Sequence, residues 1–230
     1  MGEIRRYQVG TSVEALASAW ARTERAPTGS VVVIDREISG RLRGGRPWRM
    51  ADDEALMMAI VVRPALNPLS EALLWPVASL ATADALTEAT GQDYSVVWPD
   101  VVVRENEDSS RSRVNVMIQL GPGRIEHAVL AVRTRLAGLA ATKEQLLHAL
   151  QEHLLATTLR VETDSLAMLE AFNDRCSIIN ERACVSLLPR GEARGRIIAV
   201  DADGFLVLES STGMLERIAP ASFRSLELVD

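Results

Sequence analysis

The chain has 230 residues, of which 47% are hydrophobic and 24% are charged, and its formal net charge is -6 at pH 7. This length suits one sizeable core with a small appended domain, and the acidic balance argues against a broad nucleic-acid-binding surface. No apolar run approaches the roughly 20 residues that cross a bilayer, and no signal-peptide core follows Met1. We therefore expect a cytoplasmic protein with no nucleic-acid or membrane partner.

The first part of the chain predicts helices and buried strands in alternation. A helix is expected over 12–23, because a Ser/Thr-x-x-Glu capping-box pattern stands at its start. The β-branched run 30–35 and the apolar run 55–62 predict buried strands. A long helix is expected over 67–90, with a kink at Pro76.

The second part predicts a hairpin, two helices and a tail of short strands. In chain order we expect strands at 94–98 and 101–104, an acidic turn at 105–112, hairpin strands at 114–120 and 128–136, and helices at 143–159 and 163–176. Short β-rich runs then follow from Ala183 to Val229. The expected fold class is α+β, with a mixed β-sheet packed by helices over residues 1–180 and a small C-terminal SH3-like β-barrel over residues 181–230.

An Arg/Gly loop follows the first buried strand, with the sequence Gly40-Arg41-Leu42-Arg43-Gly44-Gly45-Arg46-Pro47-Trp48. Guanidinium groups bind phosphate or carboxylate, and a glycine-rich backbone can bring several N–H groups to one anion. A solvated basic turn would have the same composition. The stretch alone therefore leaves an anion-binding loop and a surface turn as alternatives.

The order of these elements and motifs resembles that of the biotin protein ligases, within the wider biotin/lipoate protein ligase family. Family members carry Ser-Thr-Asn at the first helix, a Q-x-x-G-R-G-R-x-G-R-x-W loop and a K-W-P-N-D segment. The matching segments here lie at 10–12, 37–48 and 97–101. The loop keeps six signature residues: Gly40, Arg41, Arg43, Gly45, Arg46 and Trp48. Because no winged-helix pattern precedes these motifs in the sequence, we expect the non-repressor type of the family.

This resemblance implies a site and a reaction. In the family the Arg/Gly loop folds over biotinyl-adenylate, which is made from biotin and ATP with Mg²⁺, and a lysine in a K-x-x-G segment contacts the reacting carboxyl and phosphate. Arg113 stands at that lysine position, so the resemblance makes it the catalytic candidate. The implied ligand-binding residues are Thr11, Ser12, Glu37, Gly40, Arg41, Arg43, Arg46, Trp48, Trp98 and Asp100, and no residue is assigned as a metal ligand.

Several family positions are replaced. Val97, Asp100 and Val101 stand for the lysine, asparagine and aspartate of K-W-P-N-D, and valines cannot hydrogen-bond to a ligand or metal. Glu37 stands where a ring-binding glutamine is expected, and would bring a charge to a mostly neutral pocket. The G-x-G-x-N strand is Ala-Val-Arg-Thr-Arg at 131–135, without either glycine.

These replacements predict a degenerate active site. We expect a biotin protein ligase-like protein that binds biotin, or a related small carboxylic acid or its adenylate, with impaired or absent ligation. Two alternatives stay open. One is an active biotin–[acetyl-CoA-carboxylase] ligase that uses ATP to biotinylate a lysine on a biotin carboxyl carrier domain. The other is a non-catalytic partner of a ligase or carboxylase, and any of these could be a homodimer.

Overall fold

A computed structural model describes residues 2–48, 55–104 and 110–229, which form two β-sheets and four α-helices. The first sheet contains β1 (Ile4–Gly10), β2 (Val31–Glu37), β3 (Ala55–Val62), β4 (Tyr94–Val97), β5 (Val101–Arg104), β6 (Ser110–Gly121) and β7 (Arg124–Arg135). The helices are α1 (Val13–Thr23), α2 (Leu74–Thr90), α3 (Lys143–Thr163) and α4 (Ser165–Arg175). The second sheet contains β8 (Arg182–Leu187), β9 (Glu192–Val200), β10 (Leu206–Glu209), β11 (Leu215–Ile218) and β12 (Phe223–Leu228).

The seven-stranded sheet has the order β1-β2-β3-β7-β6-β5-β4 and is mixed. β1 and β2 are parallel and are joined through α1, whereas every other neighbouring pair is antiparallel. α1 covers one face, and α2 packs on the other with α3 and α4 around it. All eight residues of β3 are buried, as expected for a central strand covered on both faces. In the described part of the chain, no helix is long and apolar enough to span a membrane.

The helix predicted over 12–23 is confirmed, but its cap differs from the predicted capping box. Ser12 is the N-cap residue, and its hydroxyl accepts a hydrogen bond from the Ala15 N–H at 3.1 Å. Glu14 therefore lies in the first turn rather than at the position from which it would bond back to the cap. Glu14 is 4% exposed, and its side chain instead accepts hydrogen bonds from Arg133 of β7.

The long helix predicted over 67–90 is divided. Residues 68–73 form a 3-10 helix, and α2 begins only at Leu74. Pro76 thus lies in the first turn of α2, where its missing N–H breaks no helical hydrogen bond, and the predicted kink does not occur inside the helix. Gly91 ends α2 in the left-handed conformation at φ 67°.

Two further differences concern the strands. β1 was not predicted, because its residues are mostly polar and only partly buried at the edge of the sheet. Residues 110–112, predicted as part of an acidic turn, begin β6 and pair with β5 and β7. The remainder of that predicted turn, at 105–109, lies outside the described residues.

The C-terminal strands form a separate antiparallel sheet in the order β11-β10-β9-β8-β12, in agreement with the predicted β-rich tail. Its contact with the first sheet centres on Trp98, whose indole Nε1–H donates to the Gly204 carbonyl at 3.2 Å. The Trp98 ring also meets the Phe223 ring edge-on at 5.1 Å. Asn173 of α4 adds two hydrogen bonds to the main chain of Val200. The two sheets therefore share one hydrophobic core.

A substitution at Gly204 tests this contact, because Gly204 has a left-handed backbone (φ 83°) and lies close to the 3-10 helix before α2. A Cβ there would lie 2.9 Å from the main chain of Ala72. Gly213 is also left-handed (φ 80°) but has nothing within 4 Å of a Cβ, so Gly213→Ala isolates the backbone strain. We expect Gly204→Ala to lower the free energy of unfolding by about 2 kcal/mol more than Gly213→Ala in urea titrations. Equal losses would mean that the close approach to Ala72 is unimportant.

Candidate ligand-binding site

The Arg/Gly loop after β2 forms a closed turn. Its two arms are joined by an antiparallel bridge between Arg41 and Pro47, and the Trp48 N–H donates to the Gly40 carbonyl at 2.9 Å. At the tip, residues 43–45 form one 3-10 turn in which both glycines have positive φ angles, a conformation that favours glycine. The loop therefore has a defined shape that directs each arginine.

Arg43 is the buried arginine of this loop, at 8% exposed. Its Nε donates to Asp100 Oδ1 at 3.3 Å, and its Nη1 donates to the Phe223 carbonyl. The guanidinium also lies over the Phe223 ring, 4.6 Å from the centroid. One side chain thus links the loop to the turn after β4 and to β12 of the second sheet.

Asp100 lies between two guanidinium groups and is 1% exposed. Arg113 Nη1 is 3.7 Å from Asp100 Oδ2, an oxygen that accepts no hydrogen bond within the described structure. Burial lowers the pKa of the Arg113 guanidinium, the charge of Asp100 opposes that effect, and the charges of Arg46 and Arg43 lower it further. A single carboxylate therefore serves several arginines and leaves positive charge uncompensated.

These residues line a cleft of about 320 Å³, which we call the arginine cleft. It is bounded by the Arg/Gly loop, the turn after β4, the start of β6 and the start of β12. Its charged lining consists of Arg43, Arg46, Arg113, Arg224 and Asp100. Four guanidiniums face one carboxylate in a chain of net charge -6, so the cleft favours an anionic ligand.

A second group of charged side chains lies on the same face of the sheet. Arg133 on β7 is directly opposite Arg113 on β6, so their side chains share the face that carries α1. The fully buried Arg133 donates to both oxygens of Glu14, at 2.8 and 2.6 Å, and to both oxygens of Glu37, each at 2.8 Å. We call Glu14, Arg133 and Glu37 the Glu–Arg–Glu cluster.

Main-chain and amide donors complete the cluster. The N–H of Val13, the first residue of α1, donates to Glu37 at 2.7 Å, and Asn115 Nδ2 donates to Glu14 at 3.0 Å. The positive end of α1 and the guanidinium thus balance two carboxylates. Burial alone would raise the pKa of Glu14, but the hydrogen bonds and charge of Arg133 outweigh it and the pKa is lowered. Conversely, burial would lower the pKa of Arg133, and the two carboxylates raise it.

The remaining sequence-predicted residues have mainly local contacts. The Thr11 carbonyl accepts from the Ser39 N–H at 2.9 Å, and Ser12 caps α1. Arg41 donates within its own loop, to the Gly45 carbonyl at 2.9 Å. Two further placements involve packing: Trp48 lies against the core on the α1 side, and Trp98 lines the arginine cleft but is 1% exposed. Gly40 leaves room for Glu37, whose carboxylate a Cβ at position 40 would meet.

Sequence reasoning did not identify Glu14 and Arg133 as part of the site. A signal was present, since Arg133 interrupts the apolar run of a strand that the pattern places in the core. A buried arginine needs carboxylate partners, and charged residues at the ends of a neighbouring helix and strand are natural candidates. Only the three-dimensional arrangement identifies those partners as Glu14 and Glu37.

The cluster gives a stability prediction with a pH signature. We expect Glu14→Gln to lower the free energy of unfolding at pH 7 by about 2–3 kcal/mol, since a buried charged hydrogen bond is lost. Because the pKa of Glu14 is lowered on folding, its contribution is present above its ordinary value of 4.5 and is lost as pH falls through the folded value. The gap between wild type and variant should therefore shrink below pH 4.5 in urea unfolding.

A matched control is Glu24→Gln, which removes a carboxylate from the exposed ion pair with Arg5. We expect a much smaller effect, because water screens that pair. An equal loss for both variants, or a gap that does not change with pH, would contradict the importance of the buried cluster.

No protein-family model matches the chain. Among characterised proteins it is similar to the bifunctional ligase/repressor BirA of Bacillus subtilis, with 22% identity over 82% of this chain and 64% of that protein. The BirA protein of Bacillus spizizenii is 28% identical over 45% of this chain and 32% of its own length. The chain thus spans less than two thirds of the length of these relatives.

Solved structures match over nearly the whole chain. The biotin protein ligase from Aquifex aeolicus, in complex with biotin and ATP, superposes with a TM-score of 0.78 at 18% identity and covers 100% of both chains. A biotin protein ligase-like protein of unknown function from Silicibacter has a TM-score of 0.74 at 15% identity, covering 96% of this chain and 95% of that one. The chain therefore has the fold of the biotin protein ligases, and most of its sequence is similar to that of BirA.

Proposed function

We propose that this protein binds a ligand bearing phosphate or carboxylate, such as an adenylate, in the arginine cleft, and that it does not ligate biotin efficiently. The observation that carries the proposal is the buried Glu–Arg–Glu cluster. It supports a site in which the anion-binding half is retained and the ring-binding half is closed by the protein's own side chains.

The positions of the cluster support the closed half of this proposal. By resemblance, the family's ring-binding glutamine corresponds to Glu37 and the second glycine of its G-x-G-x-N strand corresponds to Arg133. These two residues are bonded to each other through both oxygens of Glu37. Where the family pattern has a small residue and a neutral amide, this chain has a guanidinium and a carboxylate that bond to each other on the α1 face of the sheet.

The energetics of the cluster argue against easy displacement by a neutral ring. A ring entering here would have to break charged hydrogen bonds and leave buried charges without partners, which commonly costs about 3–5 kcal/mol. The cluster is held from three elements, since Glu14 is on α1, Glu37 ends β2 and Arg133 is on β7. Biotin should therefore bind weakly.

The arginine cleft supports the retained half. Arg46 is exposed and Arg113 is partly exposed, so both can reach a ligand, while Arg43 is already engaged by Asp100 and the second sheet. Phosphate oxygens match the guanidinium fork and would relieve the repulsion among the arginines. Aquifex biotin protein ligase has been solved with biotin and ATP, which makes ATP or an adenylate the first ligand to test.

The same residues are less suited to the ligation chemistry. Arg113 would stabilise charge developing on a phosphoryl group, but its delocalised guanidinium is shared with Asp100 and lacks the compact charge of a lysine ammonium. Magnesium also fits poorly, because Asp100 is paired with arginines. Across residues 2–48, 55–104 and 110–229, no group of three His, Cys, Asp or Glu could hold a metal ion.

Calorimetry and an acceptor-biotinylation assay test the proposal together. ATP or a non-hydrolysable biotinyl-adenylate analogue should bind, and Arg46→Gln should weaken that binding about tenfold through loss of a charged hydrogen bond. Arg41→Gln is the matched control, since Arg41 is on the same loop but bonds to its own backbone. Biotinylation of a carrier domain should be at least about 10²-fold slower than ordinary turnover. Normal turnover would favour the active-ligase alternative.

Reopening the ring-binding half gives a second test. Glu14→Gln/Glu37→Gln/Arg133→Gly removes all three charges at once, so no buried charge is left alone. We expect the triple variant to bind biotin at least about tenfold more tightly than wild type. The control is Glu3→Gln/Glu24→Gln/Arg5→Gly, which dismantles an exposed cluster of the same composition. A folded triple variant, judged by thermal unfolding, with unchanged biotin affinity would contradict the closed-pocket account.

A further inference from the structure

A groove of about 960 Å³ lies at the opposite end of the seven-stranded sheet from the arginine cleft. β2 runs toward the cleft and ends at Glu37, whereas β3 is antiparallel to it and ends at Val62, away from the cleft. The groove is lined by the C-terminal end of α1, the segment after β3 and the turn between β6 and β7. We call it the basic groove.

The charge of the basic groove is unusual for this chain. Arg22, Arg25, Arg63 and Arg124 line it, against the single carboxylate of Glu126. Most other arginines with described contacts have a carboxylate partner, but none of the ion pairs found among the described residues involves these four. A concentrated, unneutralised positive charge remains on a protein whose net charge is -6.

Arg63 is fixed at the base of the groove. Its guanidinium donates to the carbonyls of Ala21, Ala26 and Glu126, at distances between 2.9 and 3.3 Å. Carbonyl dipoles hold the group in place without cancelling its full charge. Burial lowers the pKa of His127, and the charges of Arg63 and Arg22 lower it further, against the opposing effect of Glu126.

Arg25 is held in a conformation that arginine rarely adopts. It follows α1 with φ 52°, in the left-handed region where a glycine usually ends a helix. Backbone preference therefore does not explain an arginine at this position. Its side chain is exposed at the groove, as are those of Arg22 and Arg124.

We propose that the basic groove is a binding site for a small, multiply charged anion carrying phosphate or carboxylate groups. Arg22, Arg25 and Arg124 contact the anion, and Arg63 supplies a fixed positive charge beneath it. Guanidinium forks bind two oxygens of either group, which accounts for recognition without a buried pocket. No residue of the arginine cleft takes part, so this proposal is independent of the proposed function.

An NMR titration with sodium tripolyphosphate, and separately with citrate, tests it. The chain has three histidines, and their ring signals report on different places. His127 directly follows Glu126 of the groove lining, whereas His148 and His153 are on α3. We expect saturable movement of the His127 signals with one or both anions, weakened by added salt, while the other two histidines stay unchanged. Tighter binding of tripolyphosphate would identify phosphate as the preferred group, and tighter binding of citrate would identify carboxylate.

Two variants make the test specific. Arg25→Gly relieves the left-handed strain, so it should fold at least as well as wild type, yet bind about tenfold more weakly. Arg124→Gln should weaken binding similarly, while Arg46→Gln in the arginine cleft should leave the His127 response intact. The proposal is overturned if neither anion moves His127, if Arg25→Gly/Arg124→Gln responds like wild type, or if only an acidic peptide produces the shift.

Discussion

The bonding of one buried arginine to two glutamates is the constraint on which the site depends. Arg133 lies in the middle of the sheet with no exposed surface, and a buried guanidinium there needs carboxylates to accept its hydrogen bonds and balance its charge. Glu14 in the first turn of α1 and Glu37 at the end of β2 provide these carboxylates. Their bonds to Arg133 fix the start of α1, the end of β2 and β7 relative to one another.

The overall fold and the charged side chains of the site are two separate properties of this chain. The fold superposes on that of the Aquifex biotin protein ligase over the whole chain. On the α1 face, the charged residues form an internally bonded cluster, and a separate open cleft has more arginines than carboxylates. A shared fold does not by itself carry a shared reaction, and the proposed function therefore rests on the side chains of that face.

The sequence predicts elements best where burial is simple. β3, the β6–β7 hairpin, α3 and the C-terminal strands follow apolar patterns and were predicted, because covered strands and amphipathic helices leave strong periodic signals. β1 was not predicted because an edge strand is only partly buried. The kink predicted at Pro76 was wrong because a 3-10 helix precedes α2 and places Pro76 in its first turn. Those errors come from tertiary context that no local window contains.

The site, like the fold, was predictable in part from the sequence. The composition of the Arg/Gly loop pointed to anion binding, and the resemblance to biotin protein ligases pointed to Asp100 and Arg113. The structure brings Arg43, Arg46, Arg113 and Asp100 to one cleft. The partners of Glu37 could not be predicted, because Val13 and Arg133 lie 24 and 96 positions away along the chain and meet it only through helix placement and sheet pairing. Which charges cancel one another is thus a property of the fold rather than of any segment.

The most direct test of the central claim is an NMR measurement of the Arg133 guanidinium itself, with ¹⁵N-labelled arginine and Arg133→Met to assign the signal. If Arg133 is locked between Glu14 and Glu37, its Nε–H and Nη–H resonances should be resolved at pH 7, slow to exchange with water and unchanged by excess biotin. Averaged, fast-exchanging resonances, or a shift on adding biotin, would contradict the account, because the guanidinium would then be free to leave the ring-binding half of the site.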